Sequence, residues 1–359
     1  MRDRIPESPV ALLALTEPGV RTALRLQTAM QGSVCYVPRR HRFALAMGSR
    51  GFARLKEVFP EVWGRHRRLV CVMATGIVVR LAAPLLDHKS RDPAVVVLDE
   101  RGQYAVSLLS GHWGGANELA RWVAELCGGR AVITTASDVQ DKPAWDLAAL
   151  RAGLEPESFD PLPRLARAVL EDEAVYLRDP ENRLAPYLDS RLKLKLFDKE
   201  EVPAGISSGK EGAGVWVGED FAPPGIQWLE LRPRTLVVGI GCNRGTSAQE
   251  IVGLVESVFQ EKRWSLKSIH HLASVDLKAD EPGLREAAAR LERPLLFYSR
   301  DSLKTVSVPN PSSIVLSHIG APSVCEATAL LSARSQALLI PKRKTLNATA
   351  AVARVASPS

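Results

Sequence analysis

Short apolar runs alternate with helical patterns along most of this chain, and that alternation restricts it to sheets whose faces are covered by helices. Residues 10–15, 33–37, 68–74 and 94–99 read as strands. Residues 18–30, 51–58 and 76–86 read as the helices between them, the last capped by Thr75. Nearly continuous apolar strands belong to parallel sheets buried on both faces. A turn at Asp99-Glu100-Arg101-Gly102 joins 94–99 to a hairpin partner at 104–109, and another strand is expected at 131–135.

Past Ser137 the pattern breaks. Asp138, Asp141 and Asp146 mingle with Pro143, Pro156, Pro161 and Pro163, and as far as Arg232 the chain shows one clear helix, 162–171, among turn-rich segments. A small satellite domain is expected there rather than another full sheet. Pro223-Pro224-Gly225 and Arg232-Pro233-Arg234 mark a second linker. Beyond it, strands at 235–241, within 266–275, at 295–298 and finally at 337–341 alternate with helices after 246, at 282–291 and at 324–332. The predicted fold is α/β: two three-layer α/β/α domains with mainly parallel sheets, 1–137 and 233–359, joined by a small central α+β domain, 138–232.

Charge narrows the partners. Lys and Arg exceed Asp and Glu by seven, and a pI near 9.3 favours acidic ligands. Aromatics are only 6% and the arginines are scattered, which is not the basic stripe of a nucleic-acid binder. The densest cluster, Arg39-Arg40-His41-Arg42 with 65–68, reads as a solvated face. A small polycarboxylate fits better. The cysteines Cys35, Cys71, Cys127, Cys242 and Cys325 lie far apart without metal-ligand spacing, so no metal site is expected and a reducing cytoplasm is. The apolar run at 10–15 is too short for a signal segment, and 69–86 is broken by Arg80 and Pro84, so no membrane span is expected.

Two glycine-rich turns carry the candidate chemistry. In SGHWGGANELA, from Ser110 to Ala120, a histidine sits between an apolar strand and a helix at about 117–126, and Gly111, Gly114 and Gly115 fall where the backbone must turn and leave N–H groups free. The helix start can hold a carboxylate or developing oxyanion while His112 handles a proton; equally, His112 is the surface residue of a tight turn. In the second, TLVVGIG runs into CNRGTSAQE, where Thr246 or Ser247 can cap a helix with Gln249 or Glu250 completing a capping box. Gly239 and Gly241 begin a dinucleotide fingerprint, but Arg244 occupies the third glycine position and no acidic residue follows at the required distance. Arg244 suits a carboxylate clamp, or is simply exposed. His270 and His271 should point to opposite faces of their strand and so share no metal. His318, Ser323 and Glu326 bracket another helix start that either lines a cleft or is structural.

Five collinear runs, ATGIVVRLAAPLL from Ala74, DPAVVVLDERGQYAVSLLSGHWGGANELA from Asp92, GIGCNRGTS from Gly239, VPNPS from Val308 and SVCEATALL from Ser323, resemble the cobalt-precorrin-5A hydrolases of the anaerobic route to cobalamin. They lie in the first and the last of the three proposed domains and so bracket the central one. The terminal IPKRKTLNATAAVAR departs slightly from the family pattern, and the C-terminal domain also resembles a stand-alone corrinoid-pathway protein, which implies a separable module.

The resemblance implies opening of a δ-lactone and release of a two-carbon unit as acetaldehyde, giving cobalt-precorrin-5B. It implies a polycarboxylate tetrapyrrole substrate, no added cofactor because cobalt travels in the substrate, and neighbouring pathway enzymes as partners. His112 would activate water, the N–H groups near Gly114 and Gly115 would hold the oxyanion, Glu118 would orient His112 or be the base itself, and Asn117 would donate to a substrate oxygen; Asn117 and Glu118 also fit a purely structural cap. Substrate contacts are expected from Thr75, Gly76, Arg80, Ser110, Gly111, Gly241, Arg244, Thr246, Ser323 and Glu326. A corrinoid carrier without turnover would use the same basic surfaces, whereas a nucleotide-dependent oxidoreductase conflicts with the broken fingerprint.

Overall fold

The computed structural model describes residues 9–88, 91–135, 144–198, 212–312, 316, 320 and 322–356. Two compact units divide the chain, Met1–Leu147 and Ala148–Ser359.

The first unit runs β1 (Ala11–Ala14), α1 (Glu17–Ala29), β2 (Val34–Pro38), α2 (Arg42–Ala46), β3 (Arg50–Phe52), α3 (Leu55–Arg65), β4 (Arg68–Val72), α4 (Thr75–Ala82), β5 (Ala94–Leu98), β6 (Tyr104–Leu109), α5 (Ala116–Cys127) and β7 (Arg130–Val132). Its strands form one seven-stranded sheet in the order β3-β2-β1-β4-β5-β6-β7. Successive β1 residues serve opposite faces: Leu12 and Ala14 join one core, Ala11 and Leu13 the other. That split is the signature of a sheet with helices on both sides. β1 to β5 are mutually parallel, β6 runs back against β5 through the expected hairpin, and β7 follows β6 in parallel.

Local readings shift in three places. Residues 50–52 are edge strand rather than helix, because Arg50 to Phe52 pair with Tyr36 to Pro38 and tertiary pairing overrides local pattern. Thr75 is the first residue of α4, not its cap; Ala74 holds that position without a side-chain bond, and a 3-10 turn at Ala83–Leu85 ends the run at Pro84. Part of the basic cluster is also less solvated than expected, since buried His41 and neighbouring Arg40 both bond the carbonyl of Leu15.

α6 (Trp145–Arg151) crosses into the second unit. There β8 (Leu154–Pro156), α7 (Leu162–Leu170), β9 (Val175–Arg178), β10 (Leu194–Leu196), β11 (Ala213–Val217) and β12 (Gln227–Pro233) build a five-stranded sheet, β10-β9-β11-β12-β8, parallel except for β8. The turn-rich stretch therefore holds a sheet after all. Most of its strands are too short for periodicity to announce them, and Trp216, Trp228 and Phe197 supply the packing.

The chain then forms β13 (Leu236–Cys242), α8 (Ala248–Glu261), β14 (Ile269–Val275), α9 (Pro282–Arg290), β15 (Leu295–Tyr298), α10 (Arg300–Lys304), α11 (Val324–Ala333), β16 (Leu338–Lys344) and β17 (Ala348–Arg354). The sheet order is β15-β14-β13-β17-β16. The sequence reading ended one strand early: β17 is alanine-rich and low in strand propensity, yet it lies between β13 and β16 with both faces buried. Ala348, Ala350 and Val352 serve one core, Ala351 and Ala353 the other, so small residues let helices approach from both sides.

Candidate functional site

β6 feeds the chain into the turn that holds His112. Ser110 takes a left-handed φ of 58°, and its hydroxyl donates to the carbonyl of Asp92 at 3.1 Å. Gly114 is obligatory beside it, because a Cβ there would meet Ser110's side chain and its carbonyl oxygen, the latter at 2.7 Å. Gly115 has φ 84° and occupies the N-cap of α5, where only glycine is at ease. The turn consumes donors that the sequence reading left free. The N–H of Gly115 bonds His112's carbonyl at 2.9 Å, Ala116's bonds Ser110's at 3.1 Å, and Asn117's bonds Gly111's at 3.0 Å.

His112 does not stand alone. Its Nδ1 lies 3.3 Å from Oδ2 of Asp146, with both side chains only 16% exposed. The other carboxylate oxygen accepts the N–H of Leu147 at 3.0 Å, which anchors Asp146 in the first turn of α6, where a negative charge is favoured. In the neutral imidazole this pairing keeps the proton on Nδ1 and leaves Nε2 as the basic nitrogen. A carboxylate, an imidazole and a turn fixed by glycines can together take a proton from water and stabilise the resulting cation.

The neighbouring polar residues divide their work. Asn117 is buried; its oxygen accepts from Ser107 at 2.6 Å and its amide nitrogen donates to Thr135 at 3.1 Å, so it braces β6 and the segment after β7. Gly111 makes room for it, since a Cβ would sit 2.8 Å from that oxygen. Glu118 is exposed and interacts electrostatically with Arg68, whose guanidinium pKa is lowered by burial and partly restored by Glu118.

Direction decides which candidates meet. Because β6 opposes β5, its end lies where β4 and β5 begin. Thr75, Gly76 and Arg80 belong to α4, which starts where β4 ends, so the sheet separates them from His112. All three are exposed, and Arg80 donates to Gly76's carbonyl at 2.8 Å.

In the second unit, the glycines after Val238 have a packing role. A Cβ on Gly239 would collide with Cys325's carbonyl oxygen, and one on Gly241 would lie 2.8 Å from Thr349's hydroxyl, so both let α11 and β17 press onto β13. Arg244 is exposed and paired with Asp280 at 3.0 Å and Glu281 at 3.1 Å. Glu281 also accepts the N–H of Gly245 at 3.0 Å, and Thr246 donates to Asn243's carbonyl at 2.8 Å. Ser247 caps α8, but Glu250 does not complete a capping box: it turns instead to Thr345 and Asn347 in the β16–β17 connection. Glu326 is fully buried and accepts from Asn310's backbone at 3.0 Å, Asn310's side chain at 2.8 Å and Lys342's backbone at 2.9 Å, tying the VPNPS run to β16. Ser323 is buried at the N-cap of α11 without making a side-chain cap bond. His318 lies outside the described residues.

His270 and His271 depart from strict alternation. The pairing of β13 with β14 jumps from Leu236↔Ile269 to Val237↔His271, leaving His270 as the extra residue of a bulge. The two rings therefore meet, Nδ1 to Nδ1 at 2.6 Å, and His271 goes on to Ser332, which also bonds Tyr298. Among the described residues no group of three or more His, Cys, Asp or Glu side chains is arranged to hold a metal ion. Nor is any helix among them long and apolar enough to cross a membrane.

Asp146 is the site residue that sequence reasoning missed. It was visible only as one of several acids marking a boundary, and nothing in its spacing from His112 announces the pair.

Family models described as cobalamin synthesis G N-terminal and cobalamin synthesis G C-terminus match residues 57–138 and 236–353. The chain is 33% identical to the cobalt-precorrin-5A hydrolase of Priestia megaterium over 96% of its own length and 94% of that protein's. With the Salmonella typhimurium enzyme of the same name the identity is 31%, over 93% and 94%. A 35% match to protein CobE of Sinorhizobium sp. covers 33% of this chain and 79% of that one. Matched at both ends and along almost its whole length, the chain belongs to the cobalamin synthesis G family, that of the cobalt-precorrin-5A hydrolases.

Proposed function

We propose that this protein is a cobalt-precorrin-5A hydrolase of cobalamin biosynthesis, with the His112–Asp146 pair as its proton-handling centre. Identity of 33% and 31% along nearly the whole length of enzymes of that name carries the activity, and the contact of His112 with Asp146 beside the glycine-fixed turn supports the assignment of roles.

The reaction consumes one water. Nε2 of His112 takes a proton as the water oxygen attacks the lactone carbonyl, the ring C–O bond breaks, and the freed oxygen becomes the aldehyde carbonyl as the adjoining C–C bond is cleaved. The electron pair of that bond enters the conjugated macrocycle, which takes up the proton held on His112, and acetaldehyde leaves. Asp146 holds the imidazole in the right tautomer and stabilises the imidazolium formed during attack. The N–H of Gly114 and the positive end of α5 are the proposed oxyanion support, with Asn117 keeping that helix start in place. Glu118 is the runner-up base.

Cobalt belongs to the substrate in this scheme, and no resident cofactor is invoked. We place the protein in the cytoplasm, alongside the enzymes of its pathway; its cysteines are free thiols, and burial pushes those of Cys35 and Cys71 up to about 11 and about 12, far from reactive thiolates. Anaerobic incubation with the lactone substrate and trapping of released aldehyde tests the activity. Binding of the macrocycle without aldehyde would identify a carrier instead.

A further inference from the structure

At the edge of the first sheet where His112 lies, the end of α3, the start of β4 and the approach to β5 enclose a cleft of about 280 Å³. Trp63, Arg65, Arg67, Asp87, Arg91 and Asp92 line it. The cleft is joined to the histidine turn through Asp92, whose carbonyl accepts from Ser110 while its carboxylate accepts from the N–H of Asp87 at 3.1 Å. Arg68, next along β4, lies in the electrostatic field of Glu118 on α5.

The lining carries three arginines, Arg65, Arg67 and Arg91, against two aspartates, Asp87 and Asp92. Arg91 is paired with Asp87 at 2.8 Å and Arg65 with Glu61 at 3.2 Å. His66 bonds Pro9's carbonyl and Tyr36's hydroxyl through its two ring nitrogens, so it is committed as well. The hydrogen bond of Arg67, at 2.8 Å, goes to the carbonyl of Arg91, and Arg67 makes no ion pair within 4 Å among the described residues, so its guanidinium keeps donors for an entering carboxylate beside the Asp92 that lines the same cleft. Size sets the other limit. Pockets that enclose whole ligands of drug size run from about 300 to 1,000 Å³, so this cleft is too small for a tetrapyrrole but suits one of its arms. Trp63 adds an apolar wall for the methylene groups of such an arm.

We propose that this cleft receives one peripheral carboxylate arm of the macrocycle, with Arg67 as the binding cation and Arg65 in support, and so fixes which part of the ring faces His112. The inference rests on the hydrolase reading for the identity of the substrate. Its geometry and charge are independent of that reading.

The experiment titrates the intact protein with uroporphyrin, a polycarboxylate tetrapyrrole, and follows quenching of tryptophan fluorescence, with Trp63→Phe as the control for a signal arising in the cleft. Arg67→Gln should weaken uroporphyrin binding by about tenfold, the equivalent of one charge-assisted hydrogen bond. In turnover of the lactone substrate it should raise KM by a similar factor while changing kcat less than about twofold, and Arg67→Lys should recover part of the loss. Unchanged uroporphyrin affinity in a folded Arg67→Gln protein would overturn the proposal, as would a fall in kcat with KM intact. A wild-type protein that releases no aldehyde would remove the hydrolase reading yet leave the titration decisive for the cleft.

Discussion

The two glycine-rich turns, SGHWGGANELA in the first unit and GIGCNRGTSAQE in the second, look alike in sequence and differ in what their glycines are for. In the first, the glycines lie in the turn itself, relieve a crowded backbone around Ser110 and hold a largely buried histidine against a carboxylate. In the second, Gly239 and Gly241 lie within the strand and make room for a helix, while the polar residues that follow are met by Asp280, Glu281 and Asn347. A strand–glycine–helix pattern therefore signals either a site or a tight joint. Whether its glycines are crowded by their own turn or by another element separates the two.

Gly239→Ala should be the most damaging single change, because the new methyl would collide with a backbone carbonyl that cannot move aside. More than about 4 kcal/mol of stability should be lost, enough to abolish cooperative folding of the second unit in urea. A folded Gly239→Ala protein would erase the distinction drawn between the turns. Its counterpart, Gly114→Ala, should spare the fold and suppress activity through distortion at Ser110.

His112→Ala should lower kcat by roughly 10² to 10⁴-fold, the usual range for a general base, with far-ultraviolet circular dichroism unchanged. Asp146→Asn should cost less, about 10 to 10²-fold, and combining it with His112→Ala should add little because the two act as a unit. A loss below about threefold for His112→Ala, or a deeper one for Glu118→Gln, would move the base to Glu118.

Acid should separate the units at smaller energies. Burial pulls the pKa of His271 from 6.5 down to about 4. Between those values the unfolded chain binds a proton that the native chain refuses, so the stability of the second unit is fully present above pH 6.5 and falls as pH drops toward 4, by on the order of 2 kcal/mol at pH 5. Urea midpoints measured at pH 7 and 5 should show this slope, and His271→Gln should flatten it. The smallest effect belongs to Gly245→Ala: φ is 75° but nothing lies within 4 Å, so about 1 kcal/mol is expected from the left-handed backbone alone.

Much of this was legible beforehand, for identifiable reasons. The Val95 to Leu98 run announced a buried strand, and Asp99 to Gly102 announced the hairpin whose reversal puts His112 where β4 and β5 begin. β17 was hidden because alanine is common in helices and is explained here only by its two buried faces. The bulge at His270 was hidden because register is a property of the partner strand. Asp146 was hidden because a contact between a turn and a helix that starts some way along the chain leaves no periodic trace, whereas His112, flanked by the glycines of its turn, advertised itself.

The joint between the central and C-terminal sheets is largely ionic and polar. Glu157 accepts from Ser265, Lys267 reaches the carbonyls of Pro156 and Glu157, and Arg354 pairs with Glu181 and Glu219. A seam of this kind behaves differently from a greasy one when it is parted. Water can take over each ion and carbonyl, so a shortened chain beginning near Leu236 would emerge with a charged flank rather than an adhesive one. Such a seam lets one gene carry the C-terminal module attached and another carry it free, with no new surface to be invented at the cut.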